Sequence, residues 1–519
     1  MKHASRRALA ATLALCAFAV AGVAHAGTKP PTYCGAGAIS CSDPPFAGAV
    51  TADAAQVWLR LNADGASARL RLRATGQKTW KQTPSQVSDA ASDDTLKFAL
   101  GGLGEGKTYE WQVGIVQAGG GSTWSKSQFF RTAPAAPTTL SFTVMSDFAN
   151  KLVASPALRT AAAMSNDLVV FLGDMDHRNP ATEPDGKSTY PPGSPEVLSD
   201  MRAMHQDMRR PNTAIGADFS AGLLASTATR PQTPFYYAWD DHDYCANNQD
   251  EACPTRDIAF QTYRENYLWA ADSAMADGSF CKSDFQRISW GPLADLFVLD
   301  ARSDRVSSGE GATMLGSCQL NWLVEGLRSS TATWKFILSP VPMNRTTKTY
   351  DAWGAFPAEE QQLLDALAAD GVRNVIVLSG DIHSGGAYDD GTHSGLREFS
   401  VPHANMPDSW VNTFCRPVNA AKKNGYVTDE PGTWTVGSMT PANTVPVTTC
   451  LGTDYPGKPA QVSTPGPYPL DGVGSPGFAR IELNGPFATV TLYGADGQVR
   501  AGVLADGTPS PLQRTFLAE

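Results

Sequence analysis

After residue 27 the sequence lacks any long apolar run, which excludes a membrane-spanning helix in that part of the chain. It also lacks an excess of basic residues. With 41 Lys and Arg against 51 Asp and Glu, the net charge is −10, which argues against stable nucleic-acid binding or adsorption to anionic membranes. The hydrophobic fraction of 42% and the charged fraction of 18% are those of an ordinary globular protein. At 519 residues we expect at least two domains.

The first 26 residues have the features of an export signal. Two arginines, Arg6 and Arg7, precede an Ala-rich apolar stretch that ends in Ala24-His25-Ala26. The Ser-Arg-Arg start favours a twin-arginine signal, with a general secretory signal as the alternative. Cys16 follows a leucine, which is not the small residue that a lipoprotein signal needs. We therefore expect a periplasmic or secreted protein.

Eight cysteines remain beyond the signal, and none is spaced as in a zinc ribbon. An even number of cysteines in an oxidising compartment predicts structural disulfides. Pairing between neighbours is the simplest hypothesis, although sequence alone leaves the connectivity open. The predicted pairs are Cys34–Cys41, Cys245–Cys253, Cys281–Cys318 and Cys415–Cys450.

Residues 27–134 have the pattern of a small all-β domain. Short runs such as AQVWLRL, ARLRLRA and TYEWQVGIV are bounded by Gly, Asp or Ser, and several alternate apolar with polar residues. This spacing predicts a fibronectin- or immunoglobulin-like β-sandwich, for which binding or scaffolding is the default role. The Ala- and Pro-rich segment 133–137 is typical of a stiff linker.

Residues 138–519 predict an α/β domain. Six apolar strand candidates are LSFTVM, LVVFL, PFYYAW, LADLFVL, KFIL and NVIVL, and helical segments such as EEQQLLDALAADG lie between some of them. Continuous apolar runs are typical of strands that are covered on both faces. Loop-rich residues 400–470 follow, and the segments FARIEL and ATVTLYG predict a final hairpin that joins this domain.

Carboxylates and imidazoles follow the apolar runs of this domain. Because α/β proteins place their sites beyond the carboxyl ends of strands, we expect these side chains to converge. Carboxylates with a few imidazoles are ligands for Fe, Mn, Zn or Ca, and a compact group of acids requires cations. The cluster comprises Asp147, Asp174, His177, Asp241, His242, Asp243, Asp381 and His383.

The segments FLGDMDH, WDDHDYCANN and VLSGDIH resemble the successive motifs of the calcineurin-like metallophosphoesterases. LDARSDR, the segment around GSCQLNWLVEGL and the preceding β-rich segment are similar to PhoD-type alkaline phosphatases and phosphodiesterases in particular. The resemblance covers nearly the whole mature chain in the same order. It implies a metallophosphoesterase-like αββα sandwich, preceded by the small β-sandwich.

The resemblance also implies roles for the clustered residues. Asp174 would bridge two metals, with Asp147, His177 and His383 completing the first site and Asp241 and Asp381 serving the second. His242 would contact the phosphate and assist the leaving group, and Asp243 would orient His242. From their chemistry, Arg302 and Arg305 could bind the phosphate, although they could instead pair with Asp300 and Asp304. Asn247 and Asn248 lie close enough in sequence to Asp241 to contact the substrate as well.

Two departures from the resembled family affect the metals. The first strand ends in SDFAN, where PhoD-type enzymes often have a cysteine, and His177 stands where related enzymes have a tyrosine or another ligand. We expect two or more metal ions, with Fe, Zn or Mn at the first site. Asp381 favours Ca or another hard divalent ion at the second.

Together, the signal, the resemblance and the ligand set predict an exported phosphoesterase, an alkaline phosphatase or phosphodiesterase, that hydrolyses phosphate esters by attack of a metal-bound hydroxide. Metal charge would stabilise the transition state, and His242 could donate a proton to the departing alkoxide. The alternative is a non-catalytic protein that keeps the fold and binds a cation. Hydrolysis of another type of bond by the same metals is a third, weaker alternative.

Overall fold

The structure is a computed structural model. It describes residues 33–36, 38–177, 190–191, 193–268, 281, 283–307, 309, 311–344, 351–383, 385–391, 394–406, 433–434, 445–446, 468–469, 476–503 and 509–519. The predicted signal, residues 1–26, lies outside these ranges, as does most of the loop-rich stretch 400–470.

The N-terminal part consists of short strands in sheets. The strands are β1 Gly35–Ala36, β2 Ile39–Ser40, β3 Phe46–Gly48, β4 Ala55–Arg60, β5 Ser67–Ala74, β6 Lys81–Gln82, β7 Gln86–Val87, β8 Thr95–Leu100, β9 Thr108–Val116, β10 Ser122–Trp124 and β11 Gln128–Arg131. Strands β3-β4-β8 form one sheet, and β10-β9-β5-β6 with β11 and β7 form another. Alternate residues of β5 are buried, as the period of two requires, and they contribute to an apolar core with β4 and β9.

The rest of the chain alternates between strands and helices. The strands are β12 Thr139–Met145, β13 Leu168–Leu172, β14 Phe235–Ala238, β15 Gln286–Trp290, β16 Ala294–Val298, β17 Trp334–Ser339, β18 Val375–Ser379, β19 Ala387–Asp389, β20 Arg397–Ser400, β21 Thr433–Trp434, β22 Val445–Pro446, β23 Tyr468–Pro469, β24 Gly477–Asn484, β25 Phe487–Gly494, β26 Ala501–Val503, β27 Pro509–Pro511 and β28 Gln513–Leu517. The helices are α1 Pro156–Ala163, α2 Pro195–Asp207, α3 Ala214–Phe219, α4 Asp241–Tyr244, α5 Arg256–Asn266, α6 Gly316–Ser329 and α7 Pro357–Ala369. All six predicted apolar strands are therefore present.

Two six-stranded mixed sheets dominate this part. One has the order β14-β13-β12-β24-β25-β28, and the other has the order β15-β16-β17-β18-β20-β19. Strands β12, β13 and β14 are parallel to one another, as are β16, β17, β18 and β20. The predicted hairpin β24–β25 is confirmed, and it pairs antiparallel with β12.

The sheets pack face to face, with helices on the outside. The inner faces share one apolar core in which the Phe142 and Phe336 rings meet edge to face, 5.2 Å apart. A second core covers the outer face of the β12–β14 sheet with residues of α1, α2, α3 and α5. A third lies between the other sheet and helices α6 and α7. Strands that are covered on both faces explain the unbroken apolar runs in the sequence.

The helix ends match the local sequence signals. Helix α1 begins with Pro156 at its first position, and the Ser155 side chain accepts a hydrogen bond from the Leu158 amide. Gly371 follows helix α7 with φ of +63°, as predicted for a residue just past the helix end.

The N-terminal strands share a core with the α/β part. Phe46 and Trp58 pack in the same apolar cluster as Phe235 and Tyr267, and the Trp58 indole donates to the Glu265 carbonyl at 2.7 Å. The contacts within the chain place Thr32–Glu519 in a single unit. The predicted boundary between residues 134 and 138 stays a prediction.

Three of the four predicted disulfides are present: Cys34–Cys41, Cys245–Cys253 and Cys281–Cys318. The fourth predicted pair, Cys415–Cys450, lies outside the described residues. In the part of the chain that the structure covers, no helix combines the length and apolar character needed to cross a membrane.

Candidate metal centre

The carboxyl ends of parallel strands bring the predicted ligands together. Asp147 follows β12, Asp174 follows β13, and Asp240 and Asp241 follow β14. From the facing sheet, residues 381–383 follow β18. An isolated bridge between Ser146 and His403 joins the two sheets at this end. The cluster is therefore assembled from both sheets, at the edge where α/β folds place their sites.

Four of these residues have a left-handed backbone. The φ angles are +59° for Asp147, +51° for Asp174, +54° for Asp381 and +49° for His383. Such angles are unfavourable for residues other than glycine, and they cluster at functional sites where the surrounding structure imposes them. In this protein they turn the chain sharply as each strand ends.

Gly173 permits the approach of two strand ends. Its φ is +83°, and a Cβ atom there would lie 2.5 Å from both the backbone nitrogen and the Cβ atom of Asp240. No side chain fits at this distance. The glycine of the Gly-Asp pair thus allows the Asp240 backbone to pass directly beside residue 173.

The first group contains the four residues predicted for the first metal. One ligand atom from each of Asp147, Asp174, His177 and His383 lies within 4.8 Å of all the others. His177 Nε2 is 2.9 Å from both Asp174 Oδ2 and His383 Nε2, and His383 Nε2 is 3.5 Å from Asp147 Oδ1. Ligands of one tetrahedral metal are about 3.4 Å apart, because the bonds are about 2.1 Å long. The spacing therefore suits a single ion.

A backbone carbonyl orients the His177 ring. Its Nδ1 atom lies 2.7 Å from the Phe148 oxygen, so that Nδ1 carries a proton and Nε2 faces the carboxylates. Burial lowers the pKa of this imidazole, but the Asp174 and Asp147 carboxylates outweigh burial and raise it to about 10. A cation at Nε2 would take the place of that proton.

Asp174 also belongs to two further groups of possible ligands. One contains Asp174, Asp241 and His242, and the other contains Asp174, Asp240 and Asp381. Asp240 was missed by the sequence analysis, which assigned Asp241 as a metal ligand and Asp243 as a partner of His242 in the same segment. The two adjacent acids are equivalent in sequence, and only the local backbone distinguishes them.

The acids of the cluster fit a bound cation. Asp240 Oδ2 is buried and accepts no hydrogen bond among the described residues. Burial raises the pKa of Asp240 well above its usual value. The positive charge of Arg302 lowers this pKa, whereas the neighbouring acids Asp241, Asp381 and Asp174 raise it further. Divalent cations would relieve this repulsion, and oxygen and imidazole donors are suitable ligands for them.

The predicted role of Asp243 requires correction. Its carboxylate accepts hydrogen bonds from the backbone amides of Asp174, Met175 and Asp240, and no hydrogen bond joins it to the His242 ring in the described structure. Asp243 therefore holds the backbones of two strand ends together. Burial and the Asp174 charge raise its pKa to about 8.

His242 lies at the margin of the cluster. Its Nε2 atom is 3.9 Å from Asp241 Oδ1, and its ring centroid is 4.7 Å from that of His177. Burial is the largest influence on this imidazole and lowers its pKa, although the Asp241 and Asp174 carboxylates act in the opposite direction. An imidazole N–H at this position can donate a hydrogen bond to a phosphate oxygen, and the predicted proton donation to the leaving group stays a prediction.

Arg302 and Arg305 are fully buried and paired with acids. Arg302 Nε donates to Asp240, and its two Nη atoms grip the Asp351 carboxylate at 2.6 and 3.0 Å. Arg305 also donates to Asp351. This pairing argues against the predicted phosphate contacts, and it differs from the predicted alternative with Asp300 and Asp304. Asp351 lies 49 residues from Arg302 and outside every motif, so no sequence signal identified it.

The two predicted substrate asparagines lie in the loop closed by Cys245–Cys253. Asn247 and Asn248 are exposed, and the Asn248 amide donates to Asp241 Oδ2 at 2.6 Å. Their contact with substrate stays a prediction.

The chain is similar to known phosphatases in sequence and in fold. A family model described as PhoD-like phosphatase matches residues 153–428, just over half of the chain. Alkaline phosphatase D of Bacillus subtilis (strain 168) is 26% identical over 255 residues, which are 42% of this chain and 41% of that relative. The match thus spans less than half of the relative's length.

Two solved structures share the fold across most of the chain. A structure of PhoD covers 92% of this chain and 91% of its own, with a TM-score of 0.60 and 18% identity. A purple acid phosphatase from yellow lupin (Lupinus luteus) seeds covers 92% of this chain and 75% of its own, with a TM-score of 0.53 and 11% identity.

Proposed function

This chain belongs to the PhoD-like phosphatase family, and from that membership we propose that it is a metal-dependent phosphoesterase. The substrates would be phosphate monoesters, diesters or both. The observation that carries the proposal is the position of Asp174, whose carboxylate is common to all three groups of possible ligands. A carboxylate shared between cations is the arrangement that places two metals a few ångströms apart, as in two-metal phosphoesterases.

We assign the first cation to Asp147, Asp174, His177 and His383. Two imidazoles with two carboxylates suit Fe, Zn or Mn. The second cation would be held by Asp174, Asp241 and Asp381, with Asp240 as an adjacent acid. A site with carboxylates alone suits Ca or another hard divalent ion.

When bound, the metals would supply water activation and neutralise the charge on the phosphate. The residues of the chain would orient the metal ligands and bind the substrate. Asp243 holds the strand ends of Asp174 and Asp240 in register through their amides. His242 would donate an N–H to a phosphate oxygen from the margin of the cluster. Asn247 and Asn248 would contact the substrate from the disulfide-closed loop.

Export and the domain division complete the proposal. Three disulfides support an oxidising compartment, in keeping with residues 1–26 as a signal. We propose residues 27–134 as a fibronectin- or immunoglobulin-like domain and residues 138–519 as the catalytic domain. Fractionation of the expressing cells, with mass determination of the mature chain, tests the export and the cleavage site.

The test of function compares three variants with the unaltered protein. Metal content is measured by elemental mass spectrometry, and hydrolysis is measured with p-nitrophenyl phosphate and bis-p-nitrophenyl phosphate. Asp174→Asn should lose both metals and hydrolysis, because the shared carboxylate is removed. His242→Ala should keep both metals and lower kcat by roughly 100-fold, the usual size of such a contribution.

Asp365→Asn is the matched control, because it removes an exposed carboxylate on helix α7 and should change neither quantity. Loss of a metal in His242→Ala would make His242 a ligand, as its proximity to Asp174 and Asp241 allows. A protein that holds metals but hydrolyses neither ester would support the alternative function, a non-catalytic cation-binding protein.

A further inference from the structure

Arg302 carries a permanent positive charge inside the acidic cluster. Its side chain is fully buried. The Nη2 atom lies 3.7 Å from Asp241 Oδ2 and 3.8 Å from Asp381 Oδ2. Both acids are proposed to serve the second cation. Arg302 and that cation are therefore competitors for the same two carboxylates.

Another acid, Asp351, holds Arg302 away from direct contact with Asp241 and Asp381. Asp351 binds the two Nη atoms with one oxygen each, the bidentate geometry that is the strongest for an arginine and a carboxylate. On the other side, Nε donates to Asp240. The guanidinium is therefore fixed between Asp240 and Asp351. It is about 1 Å too far from Asp241 and Asp381 to donate hydrogen bonds to them.

Arg305 fixes Asp351 in turn. Its Nη1 atom donates to the same Asp351 oxygen that binds Arg302, and its Nε atom donates to the Ala301 carbonyl at 2.8 Å. Asp351 itself has a left-handed backbone, with φ of +52°. Arg302, Arg305 and Asp351 thus form a buried, hydrogen-bonded unit. This unit sets the distance between the Arg302 guanidinium and the proposed cation ligands Asp241 and Asp381.

We propose that Asp351 is a positioning residue that keeps Arg302 from occupying the second cation site. Without the bidentate grip, the buried guanidinium would turn to the nearest remaining carboxylates, which are those of Asp241 and Asp381. It would then displace the cation there. This inference rests on the proposed function only for the assignment of the second site, and its test measures cation binding instead of hydrolysis.

Asp351→Asn keeps the size of the side chain and removes its charge. We expect this variant to bind Ca²⁺ at the second site at least tenfold more weakly by titration calorimetry, with Mn²⁺ as a second probe. The metal at the first site should stay, because none of its four ligands contacts Arg302 in the described structure. Asp365→Asn again provides the exposed control.

The double variant Asp351→Asn with Arg302→Met distinguishes competition from loss of structure. Removal of the arginine should restore Ca²⁺ binding to within about threefold of the unaltered protein, if competition is the cause. A double variant that binds as weakly as Asp351→Asn would overturn the proposal, and so would a single variant with unchanged affinity. If the single variant does not fold, Arg302→Met alone is measured: it should bind Ca²⁺ at least as tightly as the unaltered protein, and weaker binding would overturn the proposal.

The failure of this inference is separable from failure of the proposed function. An unaltered protein that takes up no second divalent ion contradicts the metal assignment. An unaltered protein that binds Ca²⁺ normally, with an Asp351→Asn variant that binds equally well, contradicts only the role of Asp351.

Discussion

His177 Nε2 lies 2.9 Å from His383 Nε2, although the two residues are 206 positions apart. One imidazole follows a strand of the first sheet, and the other follows a strand of the second. Each points its Nε2 atom at an acid, Asp174 or Asp147. The first site therefore joins the two sheets, and neither sheet can form it alone.

We predict that His177→Ala and His383→Ala each lose the first metal and keep the second. Loss of a ligand should cost at least about 100-fold in affinity, because even the outer partners of ligands contribute 10- to 100-fold. Elemental mass spectrometry after dialysis measures both metals. His205→Gln is the control, since His205 is also buried but contacts Tyr267 outside the cluster. Simultaneous loss of both metals would show that the two sites are not separable.

Gly173→Ala should disrupt the site more than an ordinary glycine substitution. Gly76→Ala is the matched control, because Gly76 has φ of +88° and a Cβ atom added there would have no other atom within 4 Å. Backbone strain alone should cost each variant about 1–3 kcal/mol. Contact with Asp240 should cost Gly173→Ala about another 1–3 kcal/mol and weaken metal binding. Chemical denaturation measures the difference, and equal losses would contradict the close approach of the strands.

The Cys245–Cys253 disulfide should maintain the loop that carries Asn247 and Asn248. Replacement of both cysteines by serine should lower the free energy of unfolding by about 2–3 kcal/mol and raise KM for a phosphate ester several-fold. The pair Cys34–Cys41 closes a loop of similar length, with a sequence separation of 7 against 8. Its serine variant should lose comparable stability with unchanged KM. Equal KM values in both variants would argue against the asparagine loop as a substrate contact.

Glu398 should make stability depend on pH. Burial raises the pKa of this carboxyl from 4.5 to about 8. The folded protein therefore keeps a proton that the unfolded chain loses above about pH 4.5, so the contribution of Glu398 to stability is largest below about pH 4.5 and falls as pH rises toward 8. Each pH unit within this window costs up to about 1.4 kcal/mol.

The Glu398→Gln variant should flatten this part of the profile, because glutamine has no proton to lose. Thermal unfolding between pH 5 and pH 9 measures the effect. Glu325→Gln is the control, since Glu325 forms an exposed ion pair with Arg328 on helix α6. A Glu398→Gln variant whose Tm falls with pH as steeply as that of the unaltered protein would assign the dependence to other groups.

Local sequence signals determined much of the fold. The apolar runs that became β12, β13 and β18 are continuous because both faces of each strand are covered, and this pattern is visible without a structure. The same runs located Asp147, Asp174 and His383, because a strand in an α/β fold places its functional residues just beyond its end. Neighbouring cysteines predicted three disulfides for a similar reason, since chain proximity favours closure of short loops.

Only the tertiary structure decided which group of the protein each acid of the cluster binds. Asp240 and Asp241 are adjacent in sequence, yet their partners differ. Asp240 pairs with Arg302, 62 positions away, whereas Asp241 accepts a hydrogen bond from the Asn248 backbone amide. Asp243 accepts hydrogen bonds from backbone amides and none from the His242 ring in the described structure. Asp351 binds Arg302, which lies 49 positions earlier in the sequence. These pairings depend on the register and separation of strands from two sheets. Periodicity and motif spacing describe single segments, so they carry no information about such distances.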